Sequence, residues 1–237
     1  INLMQKSEIG NKEVEEITKL VAKSKIDVFY FADSLGNLEP KNIVHISNLI
    51  KKNWKKDIGF HAHDNMSRAL INGVAAFNSG IKWIDTTVTG MGRGAGNIQT
   101  EFALLQFSKY INKNSDISLL LKLIEKRFEP MKEKYKWGAN PYYYLAGQHK
   151  IHPTFIQSML NDLKLQPTEM LSAIDNLKKV KFTSELLKRS LKLTVSNAGV
   201  RSVDKKGSFD EFLKSSKSKY LSLRLKKLKK SIINKTV

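Results

Sequence analysis

The sequence predicts an α/β fold built on a parallel sheet, and three observations carry that prediction. Strand-like and helix-like segments alternate over roughly the first 110 residues with short links, and such β-α-β alternation forms parallel sheets. Its strand-like runs are mostly apolar, β-branched and aromatic, as buried strands are. Glycines and ionisable side chains gather just after those runs, at the strand ends where a parallel barrel carries its chemistry.

Taken in order, Ile1-Asn2-Leu3-Met4 begins at once as a strand. Residues 12–23 form a helix, with Val14, Ile17, Leu20 and Val21 at helical spacing. Ile26 to Phe31 is a buried strand, and Ala32-Asp33-Ser34-Leu35-Gly36-Asn37 is the loop after it. Pro40 opens a helix whose apolar face is Ile43, Val44, Ile46, Leu49 and Ile50. A strand over 58–63 follows, then a helix over 67–78 that Gly80 ends. Next come a strand over 83–88, a glycine-rich loop and a helix from Ile98 to about Tyr110. Residues 117–128 are an amphipathic helix. The stretch Tyr135 to Tyr144 is aromatic-rich and broken by Gly138 and Pro141, and is expected to hold a last strand or a loop in its place. Two helices fill about 153–179, and Thr183-Ser184-Glu185 opens another.

Two short motifs carry chemistry. His61-Ala62-His63 places two imidazoles at i and i+2 of a strand, on one face, and imidazole pairs suit divalent transition metals. A bare His-x-His is more simply read as two satisfied polar residues at a strand end, and it is the glycine run after the next strand that favours a site. The second motif, Gly90-Met91-Gly92-Arg93-Gly94-Ala95-Gly96-Asn97, follows the next strand. Its glycines allow close backbone approach to a ligand. Asn97 is either a ligand or the N-cap of the helix from Ile98.

Together, Gly59-Phe60-His61-Ala62-His63-Asp64-Asn65, Ala69, Asn72, Ala75-Ala76, Gly80, Asp85-Thr86-Thr87 and the glycine motif resemble the HMG-CoA-lyase-like superfamily of metal-dependent TIM-barrel lyases and Claisen-type synthases (the DRE-TIM metallolyases). The Gly-Met-Gly-x-Gly-Ala-Gly-Asn form is most similar to 4-hydroxy-2-oxovalerate aldolases. This resemblance covers about residues 1–150 and is specific over 58–101.

The resemblance implies an α/β chain forming a partial TIM (β/α)₈ barrel, about strands 4 to 8, followed by a helical C-terminal region. Residues 1–150 would be the barrel part, 151–210 a helical appendage and 211–237 a basic tail. A complete barrel takes about 250 residues, and the histidine strand is the third here but the sixth in those aldolases. The first three β/α units, with an Arg-Asp pair and a histidine base, are therefore expected to lie outside this chain, leaving it inactive alone. The implied activity is cleavage of a 4-hydroxy-2-oxo acid to pyruvate and an aldehyde. His61 and His63 would be ligands of Mn²⁺ or Mg²⁺, with Asn97 as a further one. Ser34 would face the small 2-oxo acid substrate, and Tyr142, Tyr143 or Tyr144 could fill the role of the aldolases' C-terminal tyrosine, with Tyr142 put forward as the candidate, although packing between the barrel and the helical region is the plainer reading of this triplet. By analogy, residues 113–200 would dock an aldehyde dehydrogenase or a second copy of the chain. Competing readings are an isopropylmalate or homocitrate synthase-like enzyme and a non-catalytic, anion-binding remnant. Those synthases carry Glu-Arg before Ala-Gly-Asn, where this chain has Arg93-Gly94.

Composition narrows the classes. A chain of 237 residues is long enough for one sizeable core. No cysteine is present, which excludes disulfides, thiolate metal sites and a cysteine nucleophile, and counts against the HMG-CoA lyases proper. No apolar run reaches the ~18 residues of a membrane span and no leader is evident, so a cytoplasmic enzyme is expected. The net charge is +19, from 41 Lys+Arg against 22 Asp+Glu. Lysine dominates without interleaved aromatics, so nucleic-acid binding is not expected of the body of the chain. The tail from Glu211 to Val237 carries nine basic residues and one acidic, with Leu221, Leu225, Leu228 and Ile232 on one helical face.

Overall fold

The computed structural model describes residues 1–4, 9–110, 116–161 and 165–178. It divides into two compact units, Ile1–Pro153 and Thr154–Val237.

The first unit is built on a four-stranded parallel sheet: β1 (Asn2–Leu3), β2 (Val28–Asp33), β3 (Asp57–Ala62) and β4 (Trp83–Ile84), in the spatial order of the sequence. Between them run α1 (Asn11–Ala22), α2 (Pro40–Asn53) and α3 (Ala69–Asn78). Register is set by Asn2 opposite Tyr30, Phe31 opposite Phe60, and Gly59 opposite Trp83. Sequential order with a helix in every crossover puts all three helices on one face of the sheet, because such crossovers are right-handed.

That face holds the core. Phe29, Phe31, Ile58, Phe60 and Ala62 alternate toward the helices and meet Val14, Val21, Ile43, Ile46, Ile50, Ala69 and Ala76. Phe31 and Phe60 stand 5.0 Å apart, and Phe29 meets Trp54 edge-on at 6.1 Å. Each such side chain contributes roughly 1.5–3 kcal/mol by leaving water. The opposite face carries the alternate residues: Tyr30, Gly59, His61, Trp83 and Asp85. This face is aromatic and polar rather than apolar.

Several boundaries differ from the sequence reading. The second strand is Val28–Asp33 rather than 26–31, because the Asp33 carboxylate ends it by accepting the Asn37 and Leu38 N–H groups, each at 3.1 Å. The fourth strand stops at Ile84, and Thr87 instead bridges to Gln99. The helix expected from Ile98 is α4 (Thr100–Gln106). The helix expected at 117–128 runs on as α5 (Ile117–Leu123), a π-helical turn (Ile124–Phe128) and α6 (Glu129–Tyr135). No strand stands in the 135–144 stretch. Helix α7 (Pro141–Gln148) starts there instead, with Pro141 in its first turn and Asn140 Oδ1 accepting the Tyr142 and Tyr143 N–H groups at 3.0 and 3.1 Å.

The second unit, by itself, contains most of α8 (Pro153–Leu160) and α9 (Pro167–Leu177), with Ile156, Met159, Met170, Ala173, Ile174 and Leu177 buried. The further helix at Thr183, the rest of the appendage and the basic tail lie outside the described residues. No helix among the described residues is long and apolar enough to cross a membrane.

Candidate metal centre

His61 is the fifth residue of β3, opposite Ala32, and His63 lies one residue beyond the strand. Their rings sit 5.1 Å apart between centroids and nearly perpendicular, on one side of the chain. The backbone past the strand is pinned on both flanks. His63 N–H donates to the Asp33 carbonyl at 3.2 Å, and residues 63 and 97 form an antiparallel bridge.

Each imidazole has one nitrogen engaged. His61 Nδ1 lies 3.1 Å from Asp85 Oδ2. His63 is hydrogen-bonded to the Gly96 carbonyl. Burial pushes the His63 pKa down to about 4, the charges of His61 and Arg93 act in the same direction, and the Gly96 bond opposes them. His63 is therefore neutral near pH 7, with a lone pair free on its other nitrogen.

Asn97 enters from the glycine loop. Its backbone N–H donates to Gly90 O at 3.1 Å, and Nδ2 donates to Met91 O at 3.2 Å. Oδ1 is buried and has no hydrogen-bond partner. Asn97 caps no helix, since α4 begins at Thr100 with Gln99 before it. The loop is held by contacts that need glycine: at Gly96 (φ +79°) a Cβ would stand 2.1 Å from the Gly90 carbonyl oxygen. Beneath it, Thr89 adopts φ +53° and is clamped from two sides. Its N–H donates to the buried Glu101 carboxylate at 3.0 Å, and its carbonyl accepts Trp137 Nε1–H at 3.1 Å.

Ser34 is buried in the loop after β2. That loop packs on the link that follows the histidines, where a Cβ on Gly36 would lie 2.6 Å from Asn65 N and 2.8 Å from His63 O. Tyr142 lies half-buried in the first turn of α7, and the tyrosine brought against the glycine loop is its neighbour. The Tyr143 ring is buried against Gly94, where a Cβ would meet it at 3.2 Å. Burial raises the Tyr143 hydroxyl to about 12, against the pull of Arg93. Burial likewise lowers His152 to about 4, helped by Arg93 and His63. Of these four, Arg93 alone carries positive charge near pH 7, beside the neutral His63, His152 and Tyr143. Arg93 occupies the variable position of the glycine pattern, and nothing in that pattern marks it as functional. Among the described residues, no group of three or more His, Cys, Asp or Glu stands together as a ready metal site.

A family model described as HMGL-like matches residues 1–124. The 4-hydroxy-2-oxovalerate aldolase of Geobacillus genomosp. 3 is 31% identical over 130 residues, 54% of this chain and 39% of that protein. The enzyme of the same name from Pelotomaculum thermopropionicum is 34% identical over 107 residues, 45% of this chain and 32% of that protein. This chain thus spans about a third to two fifths of the length of those curated relatives. Among solved structures, the N-terminal domain of a proposed aldolase from Bacteroides vulgatus superimposes with a TM-score of 0.61 at 34% identity, over 68% of this chain and 54% of that one. The carboxyl transferase domain of Rhizobium etli pyruvate carboxylase, solved with pyruvate and biocytin, gives 0.58 at 15% identity, over 83% of this chain and 37% of that one, a likeness of fold alone.

Proposed function

The chain belongs to the HMGL-like family, and from that membership we propose that its His61–His63 site binds a divalent metal ion, Mn²⁺ or Mg²⁺, and serves a lyase that cleaves a 4-hydroxy-2-oxo acid to pyruvate and an aldehyde. The aldolase names of its relatives support the reaction class. We read the four parallel strands as an arc of a (β/α)₈ barrel running to about residue 150, with a helical region after it. The unit boundary between Pro153 and Thr154 supports that division.

The observation that carries the metal reading is a pair of imidazoles 5.1 Å apart at the end of β3, with Asn97, whose buried amide oxygen has no partner, bridged by its backbone to His63. Neutral nitrogen and hard oxygen suit a divalent cation, and oxygen ligation favours Mn²⁺ or Mg²⁺. His61 and His63 would hold the ion, with Asn97 Oδ1 as a third donor. When bound, it supplies Lewis acidity at the 2-oxo group of the substrate. The chain's own contribution is placement. The histidines present their lone pairs from a rigid strand end, the Arg93 guanidinium makes the approach attractive to a carboxylate, and Ser34 lies in the adjoining loop within the same strand-end layer.

Mn²⁺ titration followed by electron paramagnetic resonance, in the presence of pyruvate, tests this. We expect binding that falls by at least tenfold in His61→Ala and in His63→Ala. Binding equal in the wild type and both variants sinks the site. Because no group of three or more His, Cys, Asp or Glu is arranged to hold a metal among the described residues, residues 1–237 alone are expected to release no measurable pyruvate from 4-hydroxy-2-oxovalerate.

A further inference from the structure

A tyrosine and a carboxylate from the two strands flanking β3 converge on His61. Asp85 stands one residue beyond β4, held beside the histidine strand by its N–H donating to Phe60 O at 3.0 Å. Its Oδ2 is 3.1 Å from His61 Nδ1. From the other side comes Tyr30 of β2, whose hydroxyl is hydrogen-bonded to Asp85. To reach it, the tyrosine must cross β3. It does so over Gly59, its partner in the sheet register, where a Cβ would lie 2.4 Å from the Tyr30 ring. Any side chain at position 59 would occupy the path of the ring.

A carboxylate only accepts hydrogen bonds, so an imidazole nitrogen facing one carries the proton. The other nitrogen, Nε2, is then left with its lone pair. We propose that Asp85, steadied by Tyr30 across Gly59, is a positioning residue that fixes His61 in the Nδ1–H tautomer and aims its Nε2 at the ion. Metal-binding histidines commonly have such a partner on the second nitrogen, which sets the ring direction and raises ligand basicity. The purpose assigned to the arrangement rests on the metal reading above, whereas the tautomer itself does not.

Long-range ¹H–¹⁵N correlation spectra of the histidine side chains in the metal-free chain test it. The His61 signals are those absent from His61→Ala. The wild type is expected to show His61 protonated at Nδ1, and Asp85→Ala to move the proton largely to Nε2. Tyr30→Phe keeps the ring over Gly59 and is expected to retain the tautomer. With Co²⁺ as the probe, followed by visible absorption, affinity should fall about tenfold in Asp85→Ala and severalfold in Tyr30→Phe. A wild-type His61 protonated at Nε2, or a tautomer indifferent to Asp85→Ala, overturns the proposal. Co²⁺ affinity unchanged in Tyr30→Phe removes Tyr30 from it. The expected tautomer without any Co²⁺ binding would uphold the Asp85 contact and sink the metal reading instead.

Discussion

At the scale of single residues, the site is a set of groups held away from their usual protonation. His63 and His152 are lowered from 6.5 to about 4 by burial, and Asp33 is raised from 3.8 to about 6 by the same cause. The signs oppose. Each histidine contributes stability that is complete above pH 6.5 and lost as pH falls toward 4, because the unfolded chain takes up the proton first. Asp33 contributes stability that is complete below pH 3.8 and lost as pH rises through 6. Two histidine shifts outweigh one aspartate shift, so the metal-free protein should be less stable at pH 4.5 than at pH 7.5. Urea midpoints at the two pH values check this, and His152→Gln should narrow the difference. An unchanged gap in that variant would remove His152 from the account. The histidine pair and the glycine run were legible in the sequence because strand periodicity and glycine spacing are local. Asp85 was not legible as a partner of His61, since it lies 24 positions away and meets it only through strand pairing. Which of Tyr142, Tyr143 and Tyr144 packs on the glycine loop was not legible, because that depends on the phase of α7, which brings Tyr143 against Gly94.

At the scale of elements, the glycine loop is the least tolerant part of the site. Gly96 combines φ +79° with a Cβ path blocked by the Gly90 carbonyl, so Gly96→Ala meets both strain and a backbone clash. Left-handed strain alone costs about 1–3 kcal/mol. Gly10, with nothing within 4 Å of its virtual Cβ, is the control. Thermal unfolding should show a clear loss for Gly96→Ala and little change for Gly10→Ala, and equal midpoints would count against the loop geometry. The order of strands and helices through α4 was readable from alternation and apolar periodicity. Strand ends were not, because side-chain caps such as Asp33 and irregular bridges such as Thr87 to Gln99 decide them. The Asn140-Pro141 pair that starts α7 is a helix-opening signal, but the aromatic run around it, with Gly138, reads as a break.

At the scale of the whole molecule, β1 and β4 are the outer strands of the four-stranded sheet, and each is only two residues long. Their free N–H and C=O groups invite pairing with another chain. The face opposite the helices is aromatic and polar, so the strand edges are the main hazard. We expect residues 1–237 to associate in a concentration-dependent way when light scattering is measured across a dilution series. A monomer at every concentration that also melts cooperatively would argue against it. A parallel α/β layer was foreseeable from the sequence. The polarity of its second face was not, because it depends on which alternate residues turn away from the helices.

The crossing of Tyr30 over Gly59 also makes two distant codons interdependent. An alanine at 59 is excluded while a tyrosine occupies 30, yet it becomes admissible once position 30 carries a small residue. Among relatives, positions 30 and 59 should therefore vary as a pair, bulk on one side excluding bulk on the other. A lineage that fills position 59 must find another way to steady the aspartate beside its histidine.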